Sequence, residues 1–262
     1  MHNRRLIDRQ IGLLRHLTGE AFMFGTNDLA AAALDPDLQG MDIARLRLEA
    51  EFSFAKRTGR IRETFARTAS MYGSRFTGVL REFAVACPPR TYERYPDAQD
   101  FFDWLEERCA DDPSVPAWTV DVARTEIALA RARTFRPSEA EEEALARRPN
   151  DASSVWYRAH PCVALTHCRY DVGPLFVPGR SGEDIVRRDL TLAMLASRHR
   201  RHPEIMELVP EAFALLERSS AWSRLRLETA SSEDASTKAL VVNLSAQGLM
   251  LTCGNALGRG RG

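Results

Sequence analysis

Apolar side chains return every three to four positions through the first 135 residues, the spacing of helices with one buried face. Ile43, Leu46, Ala50 and Phe54 form one stripe, and Ile61, Phe65, Ala69 and Tyr72 form the next after Gly59. Phe76, Val79, Leu80 and Phe83 form a third, which stops at Cys87-Pro88-Pro89, where two prolines remove donors and block continuation. Pro96 opens a short helix carrying Phe101, Phe102 and Leu105, and Pro116 opens another through Val120, Ala123, Ile127 and Ala130. These stripes read as helix core. The segment 138–148, SEAEEEALARR, has Ser138 as N-cap, Glu141 in capping-box position, acids early and arginines late, which predicts a solvated helical linker.

After Asn150 the pattern changes. SSVWYRAHPCVALTHCRYDVGPLFVPG mixes aromatic and β-branched residues with Pro and Gly punctuation, favouring strands and turns. Residues 190–196 and 203–209 read as two further strands, joined by the charged turn Arg198-His199-Arg200-Arg201-His202. Pro210 opens a helix with Phe213, Leu215 and Leu216 facing in. A last helix, 236–247, carries Leu240, Val241 and Leu244 on one face, ends at Gly248, and precedes a short strand at 249–251. Three strands, helices and a terminal strand make a winged-helix-like order. The segment 219–237 does not read as the middle helix such a domain usually has. The expected class is therefore α+β, mainly α. Its parts are a helical bundle over 1–137, a linker over 138–152, a winged-helix-like domain over 153–253 and a flexible tail over 254–262.

Charge narrows the function classes. Among 262 residues, 36 Lys+Arg balance 36 Asp+Glu. Division at Asn150 leaves 22 bases against 24 acids and 14 against 12, so neither half has a field to draw it onto nucleic acid or an anionic membrane. Only Lys56 and Lys238 are lysines, a composition that suggests a GC-rich genome before it suggests chemistry. No apolar run nears the roughly 18 residues a membrane span needs, and MHNRRLIDRQIGLLRHL lacks a signal-peptide core, so a cytoplasmic location is expected. Five cysteines without a CxxC predict reduced thiols.

His160, Cys162, His167 and Cys168 concentrate soft ligands, the donor types that zinc and copper select. In an extended segment, however, Cys162 and Cys168 stand about 20 Å apart, and His167 faces away from Cys168. The segment is read as structural, with no metal assigned and no catalytic residue. A stand-alone metalloenzyme is disfavoured on the same geometry. Neither a nucleophile-elbow G-x-S-x-G, a P-loop nor a G-x-G-x-x-G is present. Asp121 and Glu126 fall on different helix faces, near Arg124 and Arg131, and read as surface or interface pairing.

Three stretches carry a family resemblance: LAAAALDPD (29–37), FFDWLEER (101–108) with PAWTVDVARTEIALARAR (116–133), and YRAHPCVAL (157–165). In pattern and order they resemble the helical partner subunits of multinuclear non-haem iron oxidases that modify ribosomally synthesised (RiPP) peptides, as in methanobactin and thiaglutamate biosynthesis. The resemblance implies a subunit with no cofactor of its own, iron lying in the partner enzyme. It implies a heterodimer with that oxidase, which modifies cysteine or another residue of the core peptide. A winged-helix-like RiPP recognition element would hold the leader of the precursor peptide as an added strand. On this sequence the implied groove lies between the strand Glu204, Ile205, Met206, Glu207 and Leu208 and the helix face of Leu240, Val241 and Leu244. The charged turn 198–202 would serve as a solvated turn or as a handle for an acidic leader or the partner enzyme. The alternative is a winged-helix DNA-binding regulator, which requires a basic final helix; this one offers only Lys238.

Overall fold

The computed structural model describes residues 12–38, 40–90, 93–109, 112–134, 154–177, 185–195, 204–226 and 232–253. The chain is α+β and mainly helical, with two small antiparallel three-stranded sheets. It divides into two compact units, Met1–Ala123 and Arg124–Gly262. The division falls within a helix, ahead of the expected linker 138–152, which lies outside the described residues together with the turn 198–202 and the tail 254–262. No helix among the described residues is long and apolar enough to cross a membrane.

The first unit contains α1 (Glu20–Phe24), α2 (Asn27–Ala32), α3 (Ile43–Thr64), α4 (Ala66–Tyr72), α5 (Phe76–Ala86) and α6 (Arg94–Cys109). Residues 12–17 are helical as well. Asp42 caps α3 by accepting from the Arg45 N–H at 3.2 Å. Gly59 was expected to separate two stripes, yet α3 runs through it for 22 residues. A single glycine lowers helix stability by only about 1 kcal/mol, which packing on both sides offsets. The chain turns instead at Phe65, whose φ of −107° and ψ of 46° leave the helical region. The helix expected from Pro96 begins two residues earlier, at Arg94, which leaves the proline inside the first turn, where no donor is lost.

Two packed regions hold this unit. Phe22, Met23 and Ala30 bury against Leu46 and Ala50 of α3 and Ala84 of α5. Phe101 of α6 is the centre of an aromatic group, with ring centroids 4.9 Å from Phe65, 5.1 Å from Phe83 and 6.0 Å from Phe76. Between α3 and α6 the Arg57 guanidinium meets the Asp97 carboxylate at 2.8 Å and lies over the Phe83 ring, 4.5 Å from its centroid.

Helix α7 (Thr119–Thr134) leads into the second unit, which contains β1 (Ser154–Ala159), β2 (Val163–Tyr170), β3 (Arg187–Leu195), β4 (Glu204–Leu208), α8 (Pro210–Arg218), β5 (Ser223–Arg226), α9 (Ser232–Ala246) and β6 (Met250–Cys253). The stretch 154–170 makes two strands, because His160 and Pro161 turn the chain between them. The strands then join different sheets, ordered β5-β1-β6 and β2-β3-β4. β5 and the start of α9 occupy the segment where no middle helix was legible. Both sheets, α8 and α9 close over one core that includes Val155, Ala193, Leu208, Leu215, Leu216, Val241, Leu244 and Leu249. Gly248 ends α9 as expected: with φ +78° it lets its own N–H reach Ser245 O and that of Leu249 reach Leu244 O, a Schellman closure in which both leucines are buried.

Candidate functional site

The strand Glu204–Leu208 is the edge of its sheet, paired with β3 on one side only among the described residues. Backbone groups of alternate residues in an antiparallel pair point to the same side. In β2 the Val163 N–H donates to His160 O at 2.9 Å, and His167 O accepts from Arg124 Nη1 at 3.2 Å. Residues 163, 165 and 167 therefore direct their amides away from β3. Leu165 lies opposite Ala193, whose own amide groups consequently face β4 and its partner Met206. It follows that Glu204, Met206 and Leu208 bond towards β3, whereas Ile205 and Glu207 present N–H and C=O to the open side. The 2.9 Å hydrogen bond from Thr191 Oγ1 to Leu208 O agrees with that assignment.

Side chains on β4 divide in the same rhythm. Met206 and Leu208 face the core. Ile205 is half-buried on the opposite face, and Glu207 is exposed, where Arg188 clamps both its carboxylate oxygens at 2.8 and 2.9 Å while also reaching Asp171 at 2.7 Å. The helix set beside β4 is α8, which packs on β1, β3 and β4, whereas α9 packs on β5 and β6. Val241 and Leu244 are fully buried, and Leu240 packs against them half-buried. The expected partners of β4, Val241 and Leu244, thus lie in the core it shares, and α8 is the helix that packs on β4.

In the first unit a cleft of about 700 Å³ is lined by Tyr72, Arg75, Glu82, Arg108 and Asp112 among others. Its charges are satisfied: Arg108 meets Glu82 at 2.8 Å and Asp112 at 3.0 Å, and Arg75 donates to the Ser114 hydroxyl and carbonyl. Tyr72 Oη lies 3.0 Å from Cys109 Sγ. Burial, and then the contact with Cys109, push the Tyr72 phenol well above its ordinary value. Burial likewise raises the Cys109 thiol. Both groups stay protonated near neutral pH, so neither is a ready base or thiolate.

The four soft ligands separate. His160 Nδ1 accepts from the Cys162 N–H at 3.1 Å, and burial lowers its pKa, so the imidazole is neutral with its proton on Nε2. Cys168 is buried 3.7 Å from Thr125 Oγ1, and His167 projects from the exposed side of β2. Among the described residues no group of three or more His, Cys, Asp or Glu is placed to hold a metal. Asp121 and Glu126, expected to serve surface or interface pairing, are both buried.

A cleft that local sequence did not reveal lies in the second unit, lined by Arg131, Arg158, His160 and Glu217 together with the apolar Val163, Leu165 and Phe213. Its residues come from α7, β1, β2 and α8, and no one stretch carries their pattern.

Neither any protein-family model nor any curated protein sequence matches this chain.

Proposed function

We propose that this chain is the non-catalytic partner of a multinuclear non-haem iron oxidase, binding the leader of a ribosomally synthesised precursor peptide while the oxidase modifies the core. In this reading the second unit acts as a winged-helix-like recognition element. The observation that carries it is the open edge of β4, where Ile205 and Glu207 offer two N–H and C=O sets to an extended peptide. In strand addition main-chain hydrogen bonds supply affinity, and alternate side chains meeting the strand and its neighbouring helix supply selectivity. The helical first unit would dock the oxidase, and the iron would belong to that enzyme.

A winged-helix DNA-binding regulator gains no support, since α9 brings Lys238 as its single base alongside Glu233 and Asp234, and burying Val241 and Leu244 leaves few positions for base contacts.

The test is co-expression with the iron oxidase and precursor peptide encoded nearby, followed by pull-down and peptide titration. A ternary complex is expected. Ile205→Pro and Glu207→Pro each remove an outward donor, which an edge strand tolerates, the second also releasing Arg188 from its Glu207 partner, and each should weaken leader binding about tenfold or more while leaving oxidase binding intact. Absence of both oxidase and peptide binding would overturn the reading, and undiminished leader binding by both proline variants would move the peptide off β4.

A further inference from the structure

The second edge of the same sheet adjoins the cleft introduced above, about 400 Å³ in volume and built entirely within the second unit. That is large enough for an amino-acid-sized ligand. Arg158 Nε is buried with no hydrogen-bond partner. Among the described residues neither Arg131 nor Arg158 forms an ion pair, although both line this cleft. Leaving a buried charged donor unpaired is unfavourable, and the two guanidiniums outnumber the one carboxylate of the lining, Glu217, so the cleft keeps a net positive charge. The neutral His160 adds an Nε2–H. Below them Val163, Leu165 and Phe213 supply a partly buried apolar floor. The outward-facing N–H and C=O of Leu165 lie between the turn bond at Val163 and the Arg124 contact at His167.

We infer that this cleft binds a carboxylate carried on an apolar body, the carboxylate bridging Arg158 and Arg131 and the apolar group covering Phe213. Planar guanidiniums match a carboxylate through paired N–H donors, and a dry floor strengthens such bonds. Two sources share this chemistry: a free small acid, and the C-terminal residue of a peptide whose backbone can also use Leu165. The inference stands on the residues of this cleft and does not depend on the reading of β4.

Calorimetric titration of the full chain tests it with N-acetyl-phenylalanine, the corresponding amide, acetate, and glycyl-glycyl-phenylalanine. The acid or the tripeptide should bind saturably, with the amide and acetate each at least about tenfold weaker. Preference for the tripeptide assigns the site to peptide termini, and equal or better binding of the acetylated amino acid assigns it to small acids. Arg158→Met should lose about tenfold in affinity without lowering the thermal midpoint, because the arginine it removes has an unsatisfied buried donor. If that variant does unfold, Arg131→Met, at an exposed position, gives the same readout. Equal affinity for acid and amide, no heat from any probe at millimolar concentration, or wild-type affinity in the folded arginine variants would overturn the inference.

Discussion

Asp97→Ala offers the sharpest test of what joins the helices of the first unit. Asp97 Oδ1 accepts a 2.8 Å hydrogen bond from Arg57 Nε, with the charged Nη2 also 2.8 Å away, and the two side chains retain only 12% and 11% of their exposure. Removing one member of such a pair leaves a charge in a site closed to water, which costs about 3–5 kcal/mol. The face of Phe83 stays under the guanidinium and offers it a remaining partner, so the lower end applies, about 3 kcal/mol. For a unit of this size that corresponds to a fall of roughly 10 °C in midpoint. Urea and thermal unfolding followed by far-UV circular dichroism would measure it. Replacing both residues by leucine or methionine should recover most of the loss, within about 1 kcal/mol of wild type, because an apolar pair needs no charge compensation. If Asp97→Ala unfolds within about 0.5 kcal/mol of the parent, Arg57 reaches water in solution and the description of this contact as closed is wrong.

Phe101→Ala removes the ring that four aromatic neighbours surround and should cost about 3–5 kcal/mol in the same assay; a smaller loss would mean that the group collapses to fill the space. Gly248→Ala should destabilise by about 1–2 kcal/mol, since φ +78° disfavours a side chain and the new Cβ would sit 3.3 Å from Leu195 Cδ2; an unchanged midpoint would argue against the Schellman closure. His160 has a pKa lowered by burial from its ordinary 6.5, so the unfolded chain takes up its proton first; stability is complete above that value and declines as pH falls through the window just below it. His160→Gln should flatten that decline in unfolding curves between about pH 7 and pH 5, and an identical slope in the variant would show that other groups set it. Cys109 should react with iodoacetamide at neutral pH more slowly than free cysteine, because burial raises its thiol; a rate equal to that of a model thiol would contradict its setting.

Much of the helical part was legible because its information is local. A stripe such as Leu46 and Ala50 determines which face is buried whatever lies opposite, and the Gly248 stop depends on one residue's tolerance of positive φ. The strands after Asn150 were legible as strands for the same reason, through alternation and turn residues. Their assignment to two sheets was not, since pairing β1 with β5 and β6 joins positions about 70 and more than 90 residues apart that no window spans. Val241 and Leu244 illustrate the limit within one helix: their spacing marked a buried face but did not say that the core, and not an open groove, would cover it. Asp121 and Glu126 were read from helix-face spacing and nearby arginines as surface or interface pairing, and that local pattern did not show that both would be buried. Arg131 and Arg158 gave no local signal at all.

The open edge of β4 also bears on self-association. Exposed strand edges can pair with their own kind, and charged side chains are the usual safeguard. The strand reads Glu-Ile-Met-Glu-Leu, so two copies stacked in parallel register would set Glu204 against Glu204 and Glu207 against Glu207. In the antiparallel arrangement centred on Met206, each glutamate would instead face an aliphatic side chain, Leu208 or Ile205. The two glutamates thus discourage a second copy, so an edge that is unpaired on one side among the described residues can stay unsaturated in a concentrated solution of this protein.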